Sequence, residues 1–185
     1  LIKKFLFCLA LVTLVGFSNV SGGKAANHNT PPDNRTTEMD HSNSDKETKG
    51  FKKAENPTYK VGSQAIIRAD HMKGMKGAIA TIVGAYDTIA YIVTYTPTTG
   101  GEKVKNHKWV VQEEIENAGN IPFKPRTEVI LKADHHKGMK GATAIIESGE
   151  KTTVYMIDYT PTTGGKRVKN HKWVTESELK AIQKP

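Results

Sequence analysis

The feature that most constrains this chain is an internal repeat. Ala69-Asp-His-Met-Lys-Gly-Met-Lys-Gly-Ala78 returns 64 residues later as Ala133-Asp-His-His-Lys-Gly-Met-Lys-Gly-Ala142. The same offset carries Tyr95-Thr-Pro-Thr-Thr-Gly-Gly101 onto residues 159–165 and Val104-Lys-Asn-His-Lys-Trp-Val110 onto residues 168–174. Self-similarity of this quality marks a duplicated structural unit. It divides the 185 residues into a copy at 56–119 and a copy at 120–185. Within the first copy, residues 64–68, 78–83, 89–95 and 104–111 are rich in Ile, Val, Thr, Ala and Tyr and are separated by Gly, Asp and Pro, the marks of short strands. Residues 97–101 read as a turn. Residues 112–117 suit one helical or 3₁₀ turn, echoed at 175–182. The fold class is therefore all-β with minor helix, and two tandem SH3-like barrels are the economical expectation, since closure hides sheet edges. A unit of about 60 residues buries only about 60% of its unfolded surface, so packing between the copies is also expected.

Ahead of the repeats, Lys3 and Lys4 precede an apolar run from Phe5 to Phe17, followed by small and polar residues. That order predicts a secretory signal peptide over 1–25, its apolar run short of the about 20 residues a spanning helix needs. Residues 26–55 are polar and carry Pro31 and Pro32, which predicts a disordered linker. Cys8 is the only cysteine and lies in the signal segment. The exported chain would then rely on its cores for stability, and a metal site in it would use His, Met, carboxylate or backbone ligands. Removal of residues 1–22 leaves 25 of the 27 basic residues against 19 acidic ones. That excess suits anionic surroundings such as cell-wall polymers, or is simply a solvated surface.

The decapeptide concentrates the possible chemistry. His71, Met72 and Met75 in one copy, and His135, His136 and Met139 in the other, combine imidazole with thioether around glycines that let the chain curl. Such a donor set suits Cu(I) and is poor for Mg²⁺ or Ca²⁺. The other reading makes Met75 and Met139 core plugs and the lysines solvent-facing. His107 and His171 stand two residues before Trp109 and Trp173, on one face if the segment is a strand. They either complete a site with the loop or serve within the fold. Asp70 and Asp134 are candidate partners that orient a ligating imidazole, or caps of loop amides. Met39 and His41 in the linker form a weak capture element by composition. No serine recurs between copies and no cysteine nucleophile lies outside the signal segment, so catalysis is not expected.

Residues 56–182 resemble the YdhK family of tandem bacterial domains, on the decapeptide, Tyr-Thr-Pro-Thr-Thr-Gly-Gly and Asn-His-Lys-Trp-Val. The family includes an exported, Cu(I)-binding copper-resistance lipoprotein of staphylococci. The resemblance implies a cell-surface protein that sequesters copper as Cu(I), with His71, Met72, Met75, His135, His136 and Met139 as metal ligands; His107 and His171 join them as candidate ligands on their own spacing. It also implies copper ions and a membrane copper exporter as partners; the basic charge adds anionic cell-wall polymers, and a monomer with no specific nucleic acid is expected. Membrane-attached relatives carry a lipidated cysteine just after the signal segment. Cys8 is not placed for that processing, so extracellular release, or retention by wall electrostatics, is expected in place of a lipid anchor. The alternative function is a wall- or polyanion-binding module working through Lys73, Lys76, Lys103, Lys105, Lys108 and their counterparts.

Overall fold

The computed structural model describes residues 48–183. The expected signal peptide, Cys8, Met39, His41 and most of the expected linker lie outside them. Seven strands form one open antiparallel sheet: β1 (Gln64–Ile67), β2 (Ile79–Tyr95), β3 (Val104–Val111), β4 (Glu128–Ile130), β5 (Thr143–Tyr159), β6 (Val168–Thr175) and β7 (Leu179–Ala181). The order is β4-β5-β2-β1-β7, with β3 added to β2 and β6 to β5. Single 3₁₀ turns follow β3 and β6, at Gln112–Glu114 and Glu176–Glu178. The all-β expectation and most strand positions hold.

One break does not. Residues 84–88, expected to separate two strands, run on as part of β2, which is 17 residues long. At about 3.3 Å per residue such a strand extends about 55 Å, against a usual length of about 5–6 residues. What keeps Gly84 and Asp87 extended is β5, equally long, which pairs with β2 from Ala80↔Tyr159 to Tyr95↔Ala144. Bulges between Ile82 and Gly84 and between Ile92 and Val93 absorb the irregularity. Thr88 lies opposite Thr152, its own counterpart in the repeat, so the two copies are related by an approximate two-fold axis through that pair.

This pairing exchanges halves between the copies. One core combines Ala65, Ile67, Met75, Ala80 and Ile82 from the first copy with Tyr155, Ile157, Tyr159, Val174 and Leu179 from the second. The other combines Tyr91, Val93, Tyr95, Val110 and Ile115 with Val129, Leu131, Met139, Ala144 and Ile146. At the sheet margins β1 pairs with β7, and Ile115 bridges to Leu131, so the start of each copy meets the end of the other. A third cluster, with Tyr86, Ala90, Trp109, Val111, Val154, Met156 and Trp173, lies about the axis. The arrangement is thus one sheet carrying two shared cores in place of one barrel per copy. A short chain segment cannot close on itself while its longest strand is committed to the partner copy.

The last eight residues of the expected linker, 48–55, are ordered. Phe51 packs against Tyr86 and Trp173 at ring-centre distances of 5.6 Å. Ala54 donates its amide to Ala85 at 3.0 Å, and Asp87 donates to Lys52 at 2.9 Å. Phe51 is the large apolar residue in an otherwise polar stretch, and burying its ring offsets the entropy of ordering its neighbours.

Because each core needs both copies, polypeptides 48–119 and 120–183 made separately should recombine one to one. Mixing them is expected to restore the amide NMR spectrum of the intact chain. A native-like monomeric spectrum from either alone would contradict the shared cores.

Candidate metal centre

Each decapeptide loop is fastened to the other copy. Gly74 and Gly138 have φ of +76° and +80°, a region that carries little penalty only for glycine. Their carbonyls accept the amides of Thr162 and Thr98, both at 2.9 Å. A side chain at Gly138 would place its Cβ 2.6 Å from Thr99 Oγ1 and 3.1 Å from Pro97 Cβ. The Thr-Pro-Thr-Thr turn of one copy therefore clamps the His loop of the other. Met75 and Met139, the third donor of each loop, are fully buried in the two cores. They line neither cavity described below and act as apolar plugs.

The histidines are held by two carboxylates that the sequence reading passed over, Glu114 buried and Glu178 half-buried. His71 Nε2 lies 2.8 Å from Glu178 Oε1, and Trp109 Nε1 donates to Glu178 Oε2 at 2.8 Å. The two-fold counterpart repeats this: His135 Nε2 to Glu114 Oε1 at 2.8 Å, and Trp173 Nε1 to Glu114 Oε2 at 3.0 Å. Each carboxylate also accepts a backbone amide, from Thr175 at 3.1 Å and Val111 at 3.3 Å. Burial pushes the Glu114 carboxyl up, but His135, Trp173 and the Val111 amide together hold it below the ordinary range. Burial likewise opposes ionisation of Glu178, and His71, Thr175 and Trp109 outweigh it. An ionised carboxylate only accepts, so the facing Nε2 carries the proton, and in the neutral ring Nδ1 keeps the lone pair. The expected orienting role of Asp70 and Asp134 falls to these glutamates of the opposite copy; both aspartates are exposed.

Two adjoining cavities gather the remaining candidates. The first, about 660 Å³, is lined by His71, Met72, His107, His136 and His171 with Glu178. The second, about 640 Å³, is lined by Met72, His135, His136 and His171 with Glu114. Met72, His136, His171 and Lys172 belong to both. The His107 ring centre stands 5.1 Å from that of His136 and 6.1 Å from that of His135. His71 Nδ1, His135 Nδ1 and His107 Nε2 are buried with no hydrogen-bond partner among the described residues. Burial first, then the neighbouring His135, His136 and His71, lowers the His107 pKa to about 3, so its ring is neutral and offers a lone pair at neutral pH. Among the described residues no three His, Cys, Asp or Glu side chains are grouped so that they could hold a metal ion by themselves. The donor types nonetheless suit a soft or borderline cation: imidazoles with a thioether, two of the imidazoles backed by carboxylates. Arg68, Lys105, Lys108 and Lys172 contribute positive charge to the first cavity, and Lys108 and Lys172 lie 5.1 Å and 5.9 Å over the rings of Trp109 and Trp173.

Two outcomes test this construction. Gly138→Ala should destabilise the protein by about 1–3 kcal/mol, and by more than Gly141→Ala, where φ is also positive, at +76°, but no described residue beyond its chain neighbours comes within 4 Å of the added carbon; thermal unfolding of both variants measures the difference. Glu114→Ala leaves His135, the Trp173 indole and the Val111 amide without their acceptor, an expected loss of about 3–5 kcal/mol in chemical denaturation.

Comparison with known proteins agrees with the repeat and the fold. The family model described as "Protein of unknown function (DUF1541)" matches twice, over residues 61–112 and 126–176. The protein YdhK of Bacillus subtilis (strain 168), described as uncharacterized, is 55% identical over 185 residues, covering 97% of this chain and 90% of its own length. A 2.00 Å crystal structure of a DUF1541 family protein, ydhK from the same organism, superimposes with a TM-score of 0.71 at 65% identity, over 72% of this chain and 90% of that one. The solution structure of the ydhK C-terminal domain gives a TM-score of 0.63 at 68% identity, covering 66% and 92% of the two chains. Two matches to the family model and this identity to YdhK make the chain a member of the DUF1541 family, with the family domain present in tandem.

Proposed function

We propose that the protein is a binding protein for copper, held as Cu(I) in the cleft between the two copies, with no catalytic step. The observation that carries this reading is the pair of glutamate-backed histidines, His71 and His135, whose second ring nitrogens are buried and have no hydrogen-bond partner among the described residues. A carboxylate behind an imidazole fixes its tautomer and strengthens it as a ligand, an arrangement typical of metal centres. His107, His136, His171 and Met72 line the same cavities and would complete the donor set. Two imidazoles bound to one tetrahedral ion through nitrogens at about 2.0 Å have ring centres about 5 Å apart, close to the His107–His136 separation of 5.1 Å. Met75 and Met139 have no part in this version of the site.

Export, copper resistance at the cell surface and kinship with a copper-resistance lipoprotein belong to the same proposal, as does transfer to or from a membrane copper exporter. No helix among the described residues is long and apolar enough to cross a membrane. A second reading is binding of an anionic wall polymer. It is favoured by Arg68, Lys105, Lys108 and Lys172 in the lining of the first cavity.

Anaerobic titration with Cu(I) against a chromophoric competitor separates the two readings. His107→Ala combined with His171→Ala removes two candidate ligands outright, and should weaken Cu(I) binding by at least the about 10–100-fold that loss of an outer-shell partner alone costs. Met75→Leu with Met139→Leu should leave it unchanged. Absence of Cu(I) binding, together with salt-sensitive adsorption to anionic wall polymer, would transfer the site to the second reading.

A further inference from the structure

The two-fold relation between the copies breaks down at one edge of the sheet. On its outer side β2 pairs with β1 over Ile79–Thr81 and with β3 from Ala90 onward. The interval between them is filled by the segment before the first copy. Lys53 bridges to Tyr86, Ala54 donates its amide to the Ala85 carbonyl at 3.0 Å, and the Asp87 amide donates to the Lys52 carbonyl at 2.9 Å. On β5 the equivalent interval lies between its pairing with β4, which ends at Ile145, and its pairing with β6, which begins at Val154. Ile146 is tied to Arg126 and Thr127, but among the described residues no segment pairs with the outer side of 147–153. Gly84, Ala85 and Tyr86 are buried, whereas their counterparts Ser148, Gly149 and Glu150 are exposed.

Alternate residues of an antiparallel strand turn their amide and carbonyl away from a given neighbour. The Gly149 carbonyl and Lys151 amide, counterparts of those used at Ala85 and Asp87, therefore point outward from β2. Side-chain alternation places Glu150 on the face of the axial aromatic cluster and Lys151 on the other. On that face Phe51 and Tyr86 close over Trp173, which is 0% exposed. The position equivalent to Tyr86 on the Trp109 side holds Glu150, and Trp109 is 7% exposed. Glu147 and Glu150 take part in no ion pair among the described residues. The open edge extends about 23 Å at about 3.3 Å per residue and is flanked by β4 and β6. A second molecule's β5, 17 residues long, would run into one of those strands. A short segment that enters and leaves the sheet, as 52–54 does on β2, fits between them.

We propose that residues 147–153 of β5 are a docking edge for a short extended segment of a partner protein, with an aromatic residue set against Trp109 and a basic residue two positions on, opposite Glu150. Phe51 and Lys53 show this spacing in place on the equivalent edge of β2. Strand addition of this kind draws affinity from main-chain hydrogen bonds and selectivity from alternate side chains, and the exposed carboxylates of Glu147 and Glu150 complement a basic segment. The inference stands apart from what the cleft binds.

Amide NMR of the full chain tests it, with a synthetic peptide of residues 48–56, Thr-Lys-Gly-Phe-Lys-Lys-Ala-Glu-Asn, as the probe. In the protein alone the Lys151 amide should exchange with solvent at least tenfold faster than that of Asp87. Adding the peptide should shift the amides of 147–153, leave those of 85–87 in place and slow exchange at Lys151. Glu150→Lys should weaken the peptide at least tenfold. Lys151→Pro, at a position where a strand edge tolerates proline because the amide faces outward, should abolish binding while the other amide signals persist. Slow exchange at Lys151 without peptide would assign the edge to another part of this chain or to a second copy, and overturn the partner. No shift within 147–153, shifts confined to 85–87, or unchanged binding by both variants would show an edge merely blunted by its charges, and overturn the docking.

Discussion

Everything in this protein depends on the antiparallel pairing of β2 with β5, one long strand from each copy, over nearly their full length. Backbone hydrogen bonds between such strands place residue 80 opposite 159 and residue 95 opposite 144, and the alternation of side chains then sends successive residues to opposite faces. The first half of each strand consequently shares a core with the second half of the other. The loops before the strands and the 3₁₀ turns after β3 and β6 follow that exchange. This is why Glu114 meets His135 and Glu178 meets His71, contacts that no single copy provides.

Those carboxylates are the costly part of the design. An ionised glutamate removed from water, wholly at Glu114 and in part at Glu178, is tolerated when its oxygens are engaged, and here an indole, an imidazole and a backbone amide share the task at each position. Apolar replacements of the same volume would serve packing as well or better. Retaining two such charges beneath histidines is easier to understand as a means of fixing imidazole orientation than as a contribution to stability. The depressed basicity of His107 has the complementary effect, keeping a neutral ring among several potential cations.

Much of the local structure is legible in the sequence. Residues 64–67 and 104–111 alternate and are bounded by turn formers, and they are strands; the polar stretches after Val111 and Thr175 are 3₁₀ turns. Gly74 and Gly138 are needed for left-handed backbone, as their place among loop lysines suggests. The continuity of β2 through Gly84 and Asp87 is not legible, because a partner strand supplies hydrogen bonds that override weak β-propensity. The exchange of halves is hidden for the same reason: a repeat specifies similar units and is silent on which half packs with which. Of the candidate ligands, the six at 71, 72, 107, 135, 136 and 171 share one cleft, while Met75 and Met139 are core. A methionine four residues after a histidine looks the same in either role. Glu114 and Glu178 escaped notice because a glutamate in a polar turn ordinarily faces water; their recurrence 64 residues apart, five residues after each tryptophan, is the available signal.

The opposition of Thr88 and Thr152 across the approximate two-fold axis has a further consequence. A single unit of this kind, lacking its fused twin, would find the missing half of its sheet only in another molecule, and its cleft would exist only above the concentration at which two molecules meet. Joining the units in one polypeptide replaces that encounter with an intramolecular one, at an effective concentration in the millimolar range for a short connection. The cleft then survives any dilution. Fusion also frees the two halves from identity, since an association of equal chains would have to repeat every substitution on both sides, whereas a joined pair can keep methionine at 72 and histidine at 136.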